Sequence, residues 1–225
     1  MELSLDTASE TASVALSAEG ALIAEITWRC RRNHTVELLP TIDRLLEQAG
    51  AQMSDVEAVF ACAGPGMYTG LRVGVATAKG LSVGLNAPAL GVGRLELDAY
   101  PHSAYRGTVV AIHRAGRGEL AWAAYGGEAW GELSPPRLSK PEELAAELEG
   151  PSLLVGEVDD ALLQAVSAGT KFEVRMPPAA ASIRRAASLA ELGWARLAAG
   201  EPSDPALLAA IYLRPPAIGP QPAPA

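Results

Sequence analysis

The segment from Ala58 to Leu81 constrains the fold of this chain more than any other. It begins within an apolar run over residues 56–63, which is typical of a strand covered on both faces of a sheet. A turn rich in glycine and proline follows, and after it comes a helix rich in small residues. A buried strand, a tight turn and a helix in direct succession indicate an α/β fold.

Length and charge restrict the function. The chain has 225 residues, which is enough for one large domain or two small lobes, and 49% of them are hydrophobic. Its formal net charge is −8, which argues against unaided binding of nucleic acid because phosphates must be neutralised by lysine and arginine. Arg29, Arg31 and Arg32 cluster, but this pattern is read as a solvated strand end.

The cysteines and the N-terminus indicate a reduced, soluble protein. Cys30 and Cys62 form no Cys-x-x-Cys motif, and Cys62 lies in an apolar run as a core residue would. The N-terminus has no basic region followed by an apolar stretch. The most apolar predicted helix carries Arg72 and Lys79, so it does not predict a membrane span. We therefore expect a cytoplasmic protein with no membrane partner.

The first half of the chain predicts three strands followed by alternating helices and strands. Apolar alternation indicates strands near residues 3–5, 14–16 and 23–28, the last two joined by the Glu19-Gly20 turn. The pattern then predicts a helix over 35–49 ending at Gly50, a strand over 56–63, a helix over 70–85, a strand over 89–92 and a short helix over 95–100.

The second half predicts a similar order. Three strands are expected over 108–112, 120–125 and 129–133, and Ser139 to Glu142 read as a capping box that opens a helix ending at Gly150. A strand over 152–155, a helix over 159–166, a strand over 172–174 and a long helix over 182–199 complete the pattern. We expect the last helix to pack back on the first half.

Two copies of this order predict the duplicated actin/hexokinase/Hsp70-like (ASKHA) fold, with two lobes that each hold a mixed sheet and helices. The predicted lobes are residues 1–104 and 105–214. A tail rich in proline and alanine, residues 215–225, is predicted to be disordered.

Several stretches resemble one bacterial family. The longest is Gly-Pro-Gly-Met-Tyr-Thr-Gly-Leu-Arg-Val-Gly at 64–74, continued at 76–81, and the first along the chain is Leu-Asp-Thr-Ala-Ser at 5–9. Further matching stretches lie at 12–16, 34–40 and 90–93, with weaker ones at 117–119 and 212–214. The chain resembles the TsaB (YeaZ-type) family across its first hundred residues and more sparsely beyond them.

The resemblance implies a non-catalytic partner subunit in the synthesis of N6-threonylcarbamoyladenosine in tRNA. It implies pairing with a homologous catalytic subunit of TsaD type, which carries the metal and transfers threonylcarbamoyl to the tRNA adenosine. An ATPase subunit of TsaE type completes that machinery, so ATP or ADP and the metal are expected on the partners. Contact with tRNA is expected mainly through the complex, and self-pairing through the same helices is expected without the catalytic subunit.

The residues themselves leave an enzymatic alternative open. An ATPase or small-molecule kinase of this fold needs acidic groups for a magnesium-nucleotide and glycine-rich turns for its phosphates. Asp6, Thr7 and Ser9 are the weak candidates for such a site, but their turn has no glycine and contains Glu10. The turn at 64–70 matches no phosphate-loop pattern and is read as a tight packing turn.

A zinc peptidase is the third hypothesis, and it is disfavoured. His34, His102 and His113 are widely spaced and form no His-x-x-x-H pair. The sequence therefore predicts no catalytic residues and no metal ligands. His34 is read as part of the packing at the N-terminus of a helix.

The two N-terminal helices are the predicted partner interface. Glycine inside a helix costs about 1 kcal/mol relative to alanine, so the repeated small residues of helix 70–85 need a compensating close contact. A partner helix is the predicted contact, and packing on the chain's own sheet is the alternative. The predicted interface residues are Leu38, Ile42, Leu45, Gly70, Gly74, Ala78 and Leu81.

Overall fold

Two five-stranded mixed sheets share one topology. The structure, a computed structural model, describes residues 1–31 and 33–213. The first sheet contains β1 (Glu2–Asp6), β2 (Thr11–Ala18), β3 (Ala21–Arg29), β4 (Ala58–Gly64) and β5 (Ala89–Gly93), in the order β3-β2-β1-β4-β5. The second contains β6 (Thr108–Gly116), β7 (Glu119–Gly126), β8 (Gly131–Ser139), β9 (Ser152–Gly156) and β10 (Val174–Arg175), in the order β8-β7-β6-β9-β10. In both sheets the first three strands are antiparallel and the last two join in parallel, which confirms the predicted duplicated fold.

Six α-helices accompany the sheets within the described residues. They are α1 (His34–Ala49), α2 (Tyr68–Leu85), α3 (Arg94–Ala99), α4 (Pro141–Glu147), α5 (Asp160–Ala168) and α6 (Ala186–Ala198), with short 3-10 helices at Met53–Asp55, Tyr100–His102 and Ala179–Ser182. Arg32, Arg214 and the predicted disordered tail lie outside the described residues.

The first sheet is covered on both faces. Apolar side chains of its strands point alternately to one face and to the other, so each face needs helices packed against it. Leu3 and Leu5 of β1 pack with α1 and α2 on one face. Phe60 of β4 points to the other face, where α6 lies across the sheet. Cys62 is buried on this second face, so the prediction of a core cysteine is confirmed.

Helix α3 joins the two lobes. Its Leu97 packs in the core of the first lobe, whereas Leu95 and Ala99 pack against the second sheet. The chain after α6 also returns to the first lobe, where the Ile211 amide donates to the carbonyl of Ala63 at 2.7 Å. The second lobe is thus built from residues 108–175, and residues from α6 to 213 lie on the first.

Several predicted boundaries are wrong. The helix predicted to end at Gly150 ends at Glu147, and the strand predicted over 172–174 lies at Val174–Arg175. The third strand of the second lobe spans 131–139 rather than 129–133, since β8 is an edge strand and an edge strand tolerates Pro135 and Pro136. The cap of α4 is Lys140, whose amide donates to Glu143, while the Ser139 hydroxyl accepts from Trp122. The last helix begins at Ala186 rather than residue 182, because the backbone of Ile183 is extended.

Candidate functional site: the inter-lobe cleft and the outer face of two helices

A cavity of about 390 Å³ lies between the lobes, where several elements end. Asp6 is the last residue of β1, Glu157 follows β9, and Arg94 and Asp98 are one turn apart on α3. The segment before α6 brings Arg184 to the same point. The cleft is therefore lined by charged side chains from both lobes.

Arg184 neutralises the acid at the end of β1. Its Nε and Nη2 donate to the two carboxylate oxygens of Asp6, the latter at 3.2 Å. Nη1 donates to Asp98 Oδ1 at 3.2 Å, and Nη2 also reaches Ser9 Oγ at 3.2 Å. The side chain of Arg184 is 6% exposed and that of Asp6 is 2% exposed, so this is a buried ion pair.

Arg94 continues the network toward the second lobe. Its Nε donates to Asp98 Oδ2 at 3.3 Å and its Nη2 to Glu157 Oε1 at 2.6 Å. The other Glu157 oxygen accepts from the Arg114 amide at 2.8 Å and lies 3.0 Å from His113 Nδ1. Two guanidinium groups thus hold three carboxylates across the cleft.

The pKa values follow from these contacts. Burial alone would raise the pKa of Asp6, but the charge and hydrogen bonds of Arg184 outweigh it and lower that pKa. Burial also opposes ionisation of Glu157, yet the hydrogen bond from His113 and the charge of Arg94 hold its pKa well below its usual range. Both carboxylates are therefore ionised at neutral pH, and they leave the cleft with no excess of positive charge for a phosphate.

The three weak nucleotide candidates separate in the structure. Ser9 lines the cleft, and Asp6 is bound by Arg184. Thr7 faces away from the cleft, and its Oγ1 donates to the carbonyl of Gly70 at 2.7 Å. The turn therefore presents Ser9, Glu10 and Thr11 to the cleft, whereas Asp6 is buried and paired with Arg184.

Thr7 explains two of the small residues of α2. A Cβ at Gly70 would collide with the carbonyl oxygen of Thr7, and a Cβ at Gly74 would collide with Thr7 Oγ1. His34, at the start of α1, lies on the same turn, with its Nε2 2.9 Å from the carbonyl of Ser9. The close contact that these glycines permit is thus within the chain's own lobe.

The predicted partner interface is wrong at six of its seven positions. These six residues face the core of the first lobe and are buried: Leu38, Ile42, Leu45, Gly70, Gly74 and Ala78. Leu81 is partly buried and packs against the same core. The interpretation failed because helical periodicity identifies an apolar face without showing whether it meets the sheet or a partner.

The opposite sides of α1 and α2 carry exposed apolar residues. Val36 and Leu39 of α1 are 75% and 51% exposed, and Val83 of α2 is 71% exposed. Ala76 and Gly80 are also exposed, and a Cβ at Gly80 would meet open space. We call this surface the outer helix face; its residues are Val36, Leu39, Pro40, Ala76, Gly80 and Val83.

The sequence interpretation missed the residues that organise the cleft. Arg184 belongs to an Arg-Arg pair before a helix, and Arg94 and Asp98 stand four residues apart. A helical pair of opposite charge is usually solvated, so neither pattern signals burial. Glu157 had no signal either, although it supplies the acid that the turn at His113 and Arg114 lacks.

Neither a metal centre nor a membrane-spanning helix is found in the part of the chain that the structure describes. Within residues 1–31 and 33–213, no three His, Cys, Asp or Glu side chains are grouped so that they could hold a metal ion. None of the helices in these ranges has the length and apolar character needed to cross a bilayer.

Comparison with known proteins identifies relatives of the whole architecture. The structure of YeaZ from Pseudomonas aeruginosa is similar, with a TM-score of 0.80 and 27% identity, covering 94% of this chain and 99% of that one. The activator of the 2-hydroxyisocaproyl-CoA dehydratase from Clostridium difficile, with bound ADPNP, has a TM-score of 0.50 and 10% identity, covering 88% and 96%. That second likeness shows the fold alone.

The sequence comparisons agree with the structural ones. The tRNA threonylcarbamoyladenosine biosynthesis protein TsaB of Escherichia coli is 37% identical over 125 residues, 55% of this chain and 54% of that protein. The chain thus spans about half the length of the curated relatives it matches. A family model described as TsaD, tRNA N6-adenosine threonylcarbamoyltransferase, matches residues 24–198. The chain belongs to this family and, within it, to the TsaB (YeaZ-type) proteins.

Proposed function

We propose that this chain is a non-catalytic partner subunit in the synthesis of N6-threonylcarbamoyladenosine in tRNA. In this proposal it binds a homologous threonylcarbamoyltransferase of TsaD type in the cytoplasm. An ATPase subunit of TsaE type joins the complex, and tRNA is bound mainly by the other subunits. The family membership supports the pathway, and the site supports the role within it.

The observation that carries the proposal is the ion pair of Arg184 with Asp6. A carboxylate at the end of the first strand is the group that could hold a hydrated metal and its nucleotide. Here a guanidinium of the same chain binds both of its oxygens. A magnesium-nucleotide would have to displace that guanidinium and leave a buried cation unpaired, which costs several kcal/mol.

The outer helix face is the proposed docking surface for the transferase subunit. Val36 and Leu39 are exposed on α1 and Val83 is exposed on α2, and the two helices contact each other. Large exposed apolar patches mark interaction sites, because their burial against a partner removes that apolar surface from water. As the proposed docking surface, the outer helix face replaces the buried faces of the same helices, which the sequence analysis predicted as the interface.

Reconstituted threonylcarbamoylation of tRNA tests the proposal. The assay contains the transferase and ATPase subunits, with and without this chain. We expect activity to require the chain and Val83→Glu to abolish it without lowering the melting temperature. Leu133→Glu, at an exposed leucine of the second lobe, is the matched control and should stay active.

A double variant separates assembly from chemistry. Asp6→Asn with Arg184→Met removes both members of the buried pair, a change that cores often tolerate. We expect this variant to support turnover in the complex. Loss of turnover in a folded and assembled double variant would show that the cleft takes part in the reaction. Turnover that does not depend on the chain would also contradict the proposal.

A further inference from the structure

Two tyrosines and one arginine form an exposed cluster where α2 meets the C-terminal segment. The Arg72 guanidinium carbon lies 4.0 Å from the centre of the Tyr68 ring. Arg72 Nε donates to the Tyr212 hydroxyl at 3.4 Å, and the rings of Tyr68 and Tyr212 lie 5.3 Å apart. We call Tyr68, Arg72 and Tyr212 the tyrosine–arginine cluster.

Arg72 is held in place without an acidic partner. Within the part of the chain that the structure describes, no aspartate or glutamate forms an ion pair with it. Its terminal nitrogens, Nη1 and Nη2, donate to no described residue, because only Nε is used. Among the described residues, eight arginines do pair with acids: Arg29, Arg94, Arg114, Arg137, Arg175, Arg184, Arg185 and Arg196.

Such an arginine is preorganised to bind a carboxylate. The guanidinium fork matches the two oxygens of a carboxylate, and little side-chain entropy is lost when the fork is already fixed. The Tyr68 ring and the Tyr212 hydroxyl fix it here. Tyrosine and arginine are also the residue types in which the binding energy of protein interfaces concentrates.

The cluster continues the outer helix face. Tyr68, Arg72 and Ala76 are spaced four residues apart along α2, so they lie on one side of the helix. Tyr68 and Tyr212 are each more than one third exposed, as expected of side chains that a partner covers. An RNA partner fits less well, since the chain carries 26 acidic and only 18 basic residues.

We propose that Arg72 is the ionic anchor of the outer helix face. Its free guanidinium edge binds a carboxylate of the transferase subunit, and Tyr68 and Tyr212 cover the apolar stem of that acidic residue. The inference rests on the proposed function, because it names the residue by which the same surface recognises its partner.

The test measures the dissociation constant of the complex between the full chain and the transferase encoded in the same genome. Wild type, Arg72→Gln and Arg72→Lys are compared at low and at high salt. We expect Arg72→Gln to weaken binding on the order of tenfold at low salt. The difference should shrink at high salt because an exposed ion pair is screened. Arg72→Lys, which keeps the charge and loses the fork, should fall between them.

Arg106→Gln is the matched control, since Arg106 is an exposed arginine just before the first strand of the second lobe. It should bind as wild type does. An unchanged dissociation constant for Arg72→Gln overturns the proposal, and a lowered melting temperature with unchanged binding would assign the cluster to holding the C-terminal segment. If Arg72→Gln loses binding of labelled tRNA and keeps the transferase, the anchor is one for RNA and the proposal is wrong. Wild-type chain that fails to bind the transferase overturns the proposed function itself, together with the anchor.

Discussion

Arg184 donates hydrogen bonds to both carboxylate oxygens of Asp6, although 178 positions separate the two residues in the chain. The contact places a buried cation where the two lobes and the segment before α6 meet. Through Asp98 it joins the second pairing of the cleft, that of Arg94 with Glu157. The relative position of the lobes therefore depends on paired charges contributed by this chain alone.

Removing one member of the central pair should destabilise the protein strongly. In Arg184→Met, Asp6 and Asp98 lose the cation that compensates their burial, and breaking a buried ion pair costs about 3–5 kcal/mol. We expect a loss of that size in the free energy of unfolding measured with urea. Asp6→Asn combined with Arg184→Met should recover part of it, because the double variant leaves no unpaired carboxylate at position 6, and Asp98 keeps its pair with Arg94. Equal stability of the single variant and wild type would show that the pair contributes no net free energy.

The cleft should also make the protein sensitive to acid. The pKa values of Asp6 and Glu157 are lowered in the folded state from ordinary values of 3.8 and 4.5. A lowered folded pKa contributes stability above the unfolded value, and that contribution is lost as the pH falls through the folded value. We therefore expect the free energy of unfolding to drop below about pH 4.5.

Urea titrations at a series of pH values measure this dependence. Glu157→Gln removes one of the titrating groups, so its stability should fall less steeply with acid than that of wild type. Parallel pH profiles for the two proteins would contradict the assignment of Glu157 to the acid response.

The fold could be predicted from the sequence because its signals are local. Apolar alternation in β1 and β2, the buried run of β4 and the glycine after α1 depend on near neighbours only. The same order of elements in each half then indicates the duplicated architecture. Boundaries failed where a distant partner decides them, as at Ile183, whose extended backbone precedes the arginine that enters the cleft.

The candidate site was harder to predict because its contacts are long-range. Nothing near Arg184 in the sequence distinguishes it from a solvated arginine such as Arg185, which is largely exposed. The glycines of α2 signalled a close contact, but the contacting atoms belong to Thr7, in a turn more than sixty residues earlier. Periodicity gives the face of a helix, and only the tertiary structure shows what that face meets.

Two glycines of α2 should respond oppositely to alanine. At Gly74 a Cβ would collide with Thr7 Oγ1, so Gly74→Ala should cost about 1–3 kcal/mol as overpacking. At Gly80 the Cβ would meet open space, so Gly80→Ala should gain up to about 1 kcal/mol from helix propensity. Thermal or urea unfolding of the two variants measures both changes.

A second-site variant tests the cause of the Gly74 effect. Thr7→Ser keeps the hydroxyl that donates to Gly70, whereas Thr7→Ala removes the atom in the way of the new Cβ. Thr7→Ala should therefore be less destabilising when it is combined with Gly74→Ala than when it is alone. If the losses in the free energy of unfolding for Thr7→Ala and Gly74→Ala simply add, this contact is not the reason for a glycine at position 74.

Gly193 sets the distance between α6 and the first sheet. A Cβ at this position would lie 2.5 Å from the ring of Phe60, which is fully buried beneath the helix. Gly193→Ala should lower the free energy of unfolding by about 1–3 kcal/mol, because the ring has no space to withdraw and α6 must shift outward. The gain in helix propensity, about 1 kcal/mol, offsets only part of this loss.

The pairing of Gly193 with Phe60 is tested by a smaller residue beneath the helix. Phe60→Leu removes part of the ring's volume, so Gly193→Ala should cost less in that background than in wild type, as a double-mutant cycle by urea unfolding measures. If Gly193→Ala stabilises the wild-type chain as it would an exposed helix, α6 does not rest on Phe60 as closely as the structure shows.

Because the extended segment that carries Arg184 leads directly into α6, an outward shift of the helix should also weaken the ion pair with Asp6. We therefore expect Gly193→Ala to reduce the stability lost on replacing Arg184 with methionine.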